Sequence, residues 1–448
     1  MCTYFIFSQS LANGSTMLLT LTFALSSLLT VSADGYCSEN CLCSMEKDER
    51  LGERSMFNLS CVGEITGLLN ASLADIFSFE INQTHPVSLD TNIISTFYNL
   101  KALYITGGLD SIASIPATSS LRVLDVRQTE LNYLPSRVLS SIAIGLQAIS
   151  LSYTNIGFIS DGAFYNLSKL RGLNLSHNRV EKLGYQLFAD CSKVITLDLS
   201  HNHLLSVKSA DFIGLLSIRE VFLNNNRITS LDFIALPNPA QLHIRFNPIV
   251  SVQFNGSHGS SLNLLDISYN NIRFLSEVSF SNCDVTTLRI TNSPRLRMVD
   301  RHAFVNMTIK SLDLHDNPKL AYLDNHALYG LDQLVYLNIS FNSLRVIPPS
   351  LFQLPSIREI EVRDNPLLCD CNLGTLLAET QTQLTLSMSL GNTSECPDMF
   401  HPAECEPHIV FNSESVTVSQ EGEPATLLCK VCYFMKLPAS SIRCRASN

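Results

Sequence analysis

From residue 100 to residue 357 the chain repeats one line of apolar and polar positions, LxxLxLxxNxLxxLxxxxFxxL. The clearest copies begin at Leu170 (LRGLNLSHNRVEKL), Val194, Ile218, Leu262, Ile309 and Leu334, and weaker ones at Leu100, Leu121, Leu146, Pro239, Val285 and Ile357. A degenerate thirteenth copy starts at Ile76. Within each copy the xLxL segment alternates, so it predicts a short strand with leucines on one face and polar side chains on the other. The later apolar positions turn the chain back. A recurrent Phe in that return, at Phe164, Phe188, Phe212, Phe280, Phe304 and Phe352, is expected to fill the far side of the core. Each copy thus gives one strand to a parallel sheet and then a mainly irregular return.

Asn178, Asn202, Asn226, Asn247, Asn270, Asn317, Asn342 and Asn365 recur where the strand ends. A buried amide there can donate and accept at once, so these residues predict a ladder that satisfies loose backbone groups of neighbouring coils. Thr129, Thr154 and Ser293 replace Asn in weaker copies and lose one hydrogen-bonding arm. Three residues after the Phe comes Leu167, Cys191, Leu215, Cys283 or Met307, which puts two cysteines in a leucine slot. Four coils at ~4.8 Å each separate Cys191 from Cys283 by roughly 20 Å. That is beyond the ~7 Å reach of a disulfide, so buried free thiols are expected.

The mean period of about 23 residues lies inside the range of leucine-rich repeats. The fold class expected is therefore α/β, a right-handed leucine-rich-repeat solenoid, or horseshoe, with a parallel concave sheet. A single coil cannot bury its own apolar faces, so the end coils need covers. Two cysteine clusters bracket the repeats, at Cys37, Cys41, Cys43 and Cys61 and at Cys369, Cys371, Cys396 and Cys405. Such clusters around a cysteine-poor stretch indicate stapled caps in an oxidising compartment.

These clusters, the repeats and the run Asn365-Pro366-Leu367-Leu368-Cys369-Asp370-Cys371 resemble extracellular leucine-rich-repeat proteins with N- and C-terminal cysteine caps. The resemblance implies disulfides Cys37 to Cys43, Cys41 to Cys61, Cys369 to Cys396 and Cys371 to Cys405. The chain departs from it where such a C-terminal cap usually carries tryptophan and this one has Leu367 and Thr375. Beyond the cap, Glu421 to Cys429 resembles the second strand of an immunoglobulin domain, as in receptors and adhesion proteins that join the two modules. The run that follows is shorter than the ~100 residues of a sandwich. The domain reading is a signal peptide at 1–33, an N-terminal cap at 34–75, repeats at 76–364, a C-terminal cap at 365–406 and an incomplete immunoglobulin-like start or disordered tail at 407–448.

Composition narrows the function. Among 448 residues, 30 are basic and 40 acidic, a formal charge of −10, which disfavours nucleic acid as a partner. The 46% apolar content excludes a disordered chain. Met17 to Val31 is an uncharged apolar run that ends on the small residues of Val31-Ser32-Ala33, so it reads as a secretory signal cleaved after Ala33. It is shorter than the ~20 residues of a membrane span, and no later run reaches that length. Asn-x-Ser/Thr triplets stand at Asn58, Asn70, Asn82, Asn166, Asn174, Asn255, Asn306, Asn338 and Asn392, so glycosylation is expected at several of them.

The middle outward position of successive strands reads Tyr104, Asp125, Ser150, Asn174, Asp198, Phe222, His243, Asp266, Arg289, Asp313, Asn338 and Glu361. Sugar at Asn174 and Asn338 would leave an open strip between them that contains Phe222, His243, Arg245, Asp266 and Arg289, an aromatic beside arginines. Such a composition marks an interface centre, and these five are the candidate residues for an extracellular protein ligand. His177 and His201 hold equivalent positions of adjacent coils, with His203 nearby, and lack the carboxylate a metal site would add. No metal or other cofactor is expected. GxSxG, HExxH, GxxxxGK[ST] and GxGxxG are all missing from the sequence, so no enzyme is expected. Recognition of an extracellular protein is the favoured function, with a matrix component that oligomerises through Cys429, Cys432 and Cys444 as the alternative.

Overall fold

The computed structural model describes strands at Cys41–Lys47, Ser55–Val62 and Ile76–Asn82, then Ile94 and Phe97. It continues through residues 99–367, apart from 110, 116–119, 233–235, 237–239, 257–260, 349 and 352–353, and ends with a strand at Thr385–Ser387. The signal segment, the cap side chains with their four disulfides, Phe352 and the tail after 406 lie outside the described residues.

One sheet of sixteen strands runs the length of the described chain in sequence order. Its first pair is antiparallel, and the backbone register sets Cys41 opposite Cys61. Every later pair is parallel, from Ser55–Val62 beside Ile76–Asn82 to Glu359–Glu361 beside Thr385–Ser387. The degenerate copy at Ile76 is a full member of this sheet. The alternation read from xLxL holds, since Leu173, Leu197 and Leu337 are at most 2% exposed.

The returns include the short 3-10 turns Ile112–Ser114 and Ser209–Phe212, and there is no α-helix among the described residues. In addition they form three small parallel sheets that the apolar pattern did not announce. Tyr133–Leu134 pairs with Phe158–Ile159. Ser230–Asp232, Ser251–Asn255, Phe280–Ser281 and Phe304–Val305 form the second, and Phe274–Leu275, Met298–Val299 and Tyr322–Leu323 the third. Phe164, Phe188, Phe212, Phe280 and Phe304 are all buried, and the rings of Phe164 and Phe188 stack at 6.0 Å. Phe254 joins this row, 6.2 Å from Phe280, although its coil carries no Phe at the expected spacing.

The asparagine ladder closes the strand ends. Asn178 Nδ2 donates to the Leu151 carbonyl of the preceding coil at 2.6 Å and to Leu175 of its own at 3.0 Å. Its Oδ1 accepts from the backbone N–H of Thr154 and Ile156 at 3.1 and 2.9 Å. The Nδ2 bond donated to a carbonyl of the preceding coil recurs at Asn202, Asn226, Asn247, Asn270, Asn317, Asn342 and Asn365. Where the amide is missing, bonds are missing too: the Thr129 and Ser293 hydroxyls find no partner, while Thr154 keeps its bond to Leu151.

Cys191 and Cys283 are free and buried, and loss of solvent, with Asp190 and Asp284 adding to it, pushes both thiols up to about 12. The thiolate attacks a disulfide reagent and displaces its other half as a thiolate, so labelling is only as fast as the cysteine ionises and is exposed. In the folded protein at pH 8 these two sites are expected to label at least about a hundredfold more slowly than in urea, read site by site by mass spectrometry. Labelling at the unfolded rate would mean that the coils open freely.

Candidate functional site

The strand registers line up the twelve middle positions in one row, from Tyr104 beside Asp125 to Asn338 beside Glu361. Phe222, His243, Asp266 and Arg289 are consecutive members of it. Arg245 lies two residues beyond His243, where that strand ends.

The row is less open than its polarity suggests. His243 and Asp266 are buried, at 8% and 4% exposure, where the sequence reading placed them on an open strip. The Phe222 ring covers His243; for Asp266 the strand ends in a turn whose N–H groups need acceptors, and the outward Asp or Asn supplies one. Asp266 Oδ1 accepts from Ser268 N–H at 3.1 Å, Asp198 from Ser200 at 2.9 Å, Asn174 from Ser176 at 2.8 Å and Asn338 from Ser340 at 3.0 Å. Asp125 is held bidentately by Arg127 at 2.8 and 2.5 Å, Glu361 accepts from Arg363 and Tyr336, and Asp313 is bonded to His315. That carboxylate holds His315 above the ordinary imidazole range. Most acids of the row are therefore engaged within the protein.

What remains outward is cationic and aromatic. The Phe222 ring stacks on His243 at 4.9 Å and 13°. Burial is the main cause that lowers the His243 imidazole below its usual value; Asp266 opposes this and the arginines Arg245 and Arg289 add to it. His243 is thus a neutral plate under Phe222 at physiological pH. Arg245 Nε sits 3.8 Å from Asp266 Oδ2, too long for a hydrogen bond. Its guanidinium lies 5.6 Å over the Phe246 ring and 5.1 Å over Tyr269. Arg289 is exposed and pairs with no acid among the described residues.

Phe246 and Tyr269 escaped the sequence reading. They belong to a column one residue before the ladder, Gln128, Tyr153, His177, His201, Asn225, Phe246, Tyr269, Asn292, Asp316, Phe341 and Asp364, all with φ between 52° and 59°. The left-handed step turns the next residue inward to the ladder, and its own side chain stays outside. Phe246 is 47% and Tyr269 37% exposed, and their rings stack at 4.3 Å. The signal was present as the residue before each Asn, but only the backbone twist says which way that side chain faces. His177 and His201 lie in the same column; they stack at 4.0 Å, with Tyr153 on the far side of His177 and Asn225 Nδ2 3.2 Å from His201 Nε2. Burial, then the neighbouring His201, brings His177 down to about 4.

Among the sequons with described side chains, Asn82, Asn166, Asn255 and Asn306 are exposed, and Asn174 and Asn338 half-buried. No helix among the described residues is long and apolar enough to cross a membrane.

A family model described as leucine rich repeat matches residues 144–204, 284–344 and 308–367. No curated protein sequence matches the chain. Among solved structures, the APL1 leucine-rich repeat domain is similar at TM-score 0.50 with 16% identity, covering 75% of this chain and 98% of that one. A TLR13 chain from a complex with ssRNA13 gives TM-score 0.42 at 18% identity over 70% of this chain, which spans 62% of that chain. A chain of the octameric complex of Latrophilin 3, Unc5D and FLRT2 gives 0.43 at 16% over 72% of this chain and 86% of that one.

Proposed function

We propose, for a chain that is a leucine-rich-repeat protein with a solenoid fold, that it is a secreted or cell-surface glycoprotein whose concave sheet binds an extracellular protein. Relatives of this fold serve as scaffolds for protein and ligand binding rather than as catalysts. The observation that carries the reading is the exposed Arg289, without an acidic partner among the described residues, beside the Phe222–His243 stack and the Arg245–Phe246–Tyr269 cluster. Around them nearly every acid of the row is already bonded within the protein. Such a centre can desolvate on contact: its rings are pre-oriented by stacking, and its cations offer guanidinium forks to partner carboxylates.

Glycans at Asn174 and Asn338, two middle-row positions on either side of this centre, would wall it off and direct a partner onto it. Some of the five residues act differently from one another. Phe222, Arg245 and Arg289 touch the partner, while His243 and Asp266 support Phe222 and Arg245 from below.

Phe222→Ala combined with Arg289→Glu should weaken partner binding by at least about thirtyfold, as loss of a central aromatic and reversal of a cation do at interfaces. Secretion and thermal stability should stay normal, because Arg289 is exposed and Phe222 half-buried. The experiment compares wild type and variant as baits for extracellular proteins and then titrates the recovered partner. Equal recovery and affinity would remove this centre from the function.

A further inference from the structure

We infer that the solenoid carries a second, separate binding surface, a cationic cleft on its return side that takes a sulfated polysaccharide. The cleft lies beside the small sheet of Phe274–Leu275, Met298–Val299 and Tyr322–Leu323. Arg273, Phe274, Arg295, Arg297 and Lys319 line its cavity of about 500 Å³. The four cations come from three successive coils. Arg297 N–H donates to the Arg273 carbonyl at 2.8 Å, so these two are neighbours on adjacent coils. Arg295 and Lys319 follow Pro294 and Pro318 at matching positions of the next pair, in the register that sets Met298 against Tyr322.

All four side chains are exposed, and none pairs with an acid among the described residues. In a chain of net charge −10, four adjacent uncompensated cations are a local reversal of sign. They repel one another at coil spacing, about 4.8 Å per step, unless an anion bridges them. The acids of the concave row do not serve, since they are bonded to their own turns and arginines.

The occupant follows from the shape and the lining. A linear polymer with an anionic group on each sugar can meet a cation on each coil in turn, and guanidinium forks match sulfate oxygens bidentately. Phe274, 54% exposed, offers its ring to the C–H face of a sugar. It is the single apolar residue of the lining, so an acidic peptide would find little to bury. A bilayer would need a convex apolar face where this surface is a cleft. The sequons Asn255 and Asn306 lie at the end of, and just after, strands of a different return sheet, Ser251–Asn255 and Phe304–Val305, so glycans there are not attached to this one. The inference is independent of the concave centre.

The test uses the full secreted chain. A heparin dodecasaccharide is titrated by calorimetry across a salt series. Wild type should bind with an affinity that falls steeply with salt, as released counterions require. Arg273→Gln, Arg295→Gln, Arg297→Gln and Lys319→Gln together should lose at least about tenfold in affinity and flatten the salt slope. Arg171→Gln, Lys193→Gln and Arg219→Gln, which remove the cations that line a separate cavity beside Glu220, should change neither. Circular dichroism checks that both variants are folded. The proposal is overturned if wild type does not bind, if the two variants lose equally, or if desulfated heparin binds as well. It is also overturned if polyglutamate or vesicles containing phosphatidylserine bind at least as tightly with the same dependence on the four cations, which would assign the cleft to an acidic protein or to a membrane.

Discussion

Asn317→Ala should destabilise the fold by about 3–5 kcal/mol, because it strands backbone groups that nothing else can reach. Asn317 is fully buried; its Nδ2 donates to the carbonyls of Ile290 and Leu314, both at 2.8 Å, and its Oδ1 accepts the Ser293 N–H at 2.8 Å. Alanine leaves the Ile290 carbonyl and the Ser293 N–H unpaired in an apolar interior, at ~1–3 kcal/mol each, and Leu314 with the Asn342 Nδ2 bond alone, less whatever a trapped water recovers. The loss should also be local. A solenoid is held by nearest-neighbour interfaces, so hydrogen exchange should accelerate first in the coils that carry Ile290, Leu314 and Ile339 and only weakly near Leu124. Uniform acceleration along the chain, or a loss below about 1 kcal/mol in urea unfolding, would contradict the ladder's role. Ser293 is a natural partial version of this defect, with its hydroxyl unpaired and its N–H rescued by Asn317. Damage there should therefore spread into a coil that is already short of bonds.

Gly214→Ala is expected to cost about 3 kcal/mol or more, and Gly330→Ala only about 1 kcal/mol, although both glycines occupy the left-handed region. The φ of Gly214 is +99° and of Gly330 +83°, so both substitutions meet the same intrinsic penalty. The difference is space. A Cβ on Gly214 would lie 2.2 Å from the Phe188 carbonyl oxygen and 2.6 Å from the Ala189 Cα, backbone atoms of the preceding coil that cannot swing aside. A Cβ on Gly330 meets nothing within 4 Å. Relief at Gly214 would require separating two coils over the Phe188 stack. Paired urea melts of the two variants measure this, and equal losses would mean that coil separation costs nothing at this point. Asn166, Asn282 and Asn306 hold the corresponding left-handed step in other coils at φ 65°, 52° and 52°, so the sequence uses Asn or Gly two residues after the Phe for a backbone reason.

The repeat was legible because its apolar spacing is the fold: the period that puts Leu173, Leu197 and Leu337 inside also fixes which strand pairs with which. The ladder was legible for the same reason, since an Asn at a fixed distance from a strand end has only backbone to bond. Phe254 was missed because its coil reaches the convex core with a shifted spacing, and the pattern sees positions rather than space. The candidate site was half legible. Its row of twelve residues came from the alternation, whereas the burial of Asp266 depends on a turn that takes its carboxylate and that of His243 on the Phe222 ring stacked over it.

By itself the sequence determined the solenoid, its parallel sheet, its buried thiols and the identity of the outward row, because all of these follow from a period that every coil shares. Only the tertiary structure decided which outward residues remain free, that Phe246 and Tyr269 stand beside Arg245, and that four cations from three coils meet in one cleft. Those outcomes depend on side chains of different repeats brought within a few ångströms by stacking, and no spacing within one repeat encodes its neighbour's choice of residue.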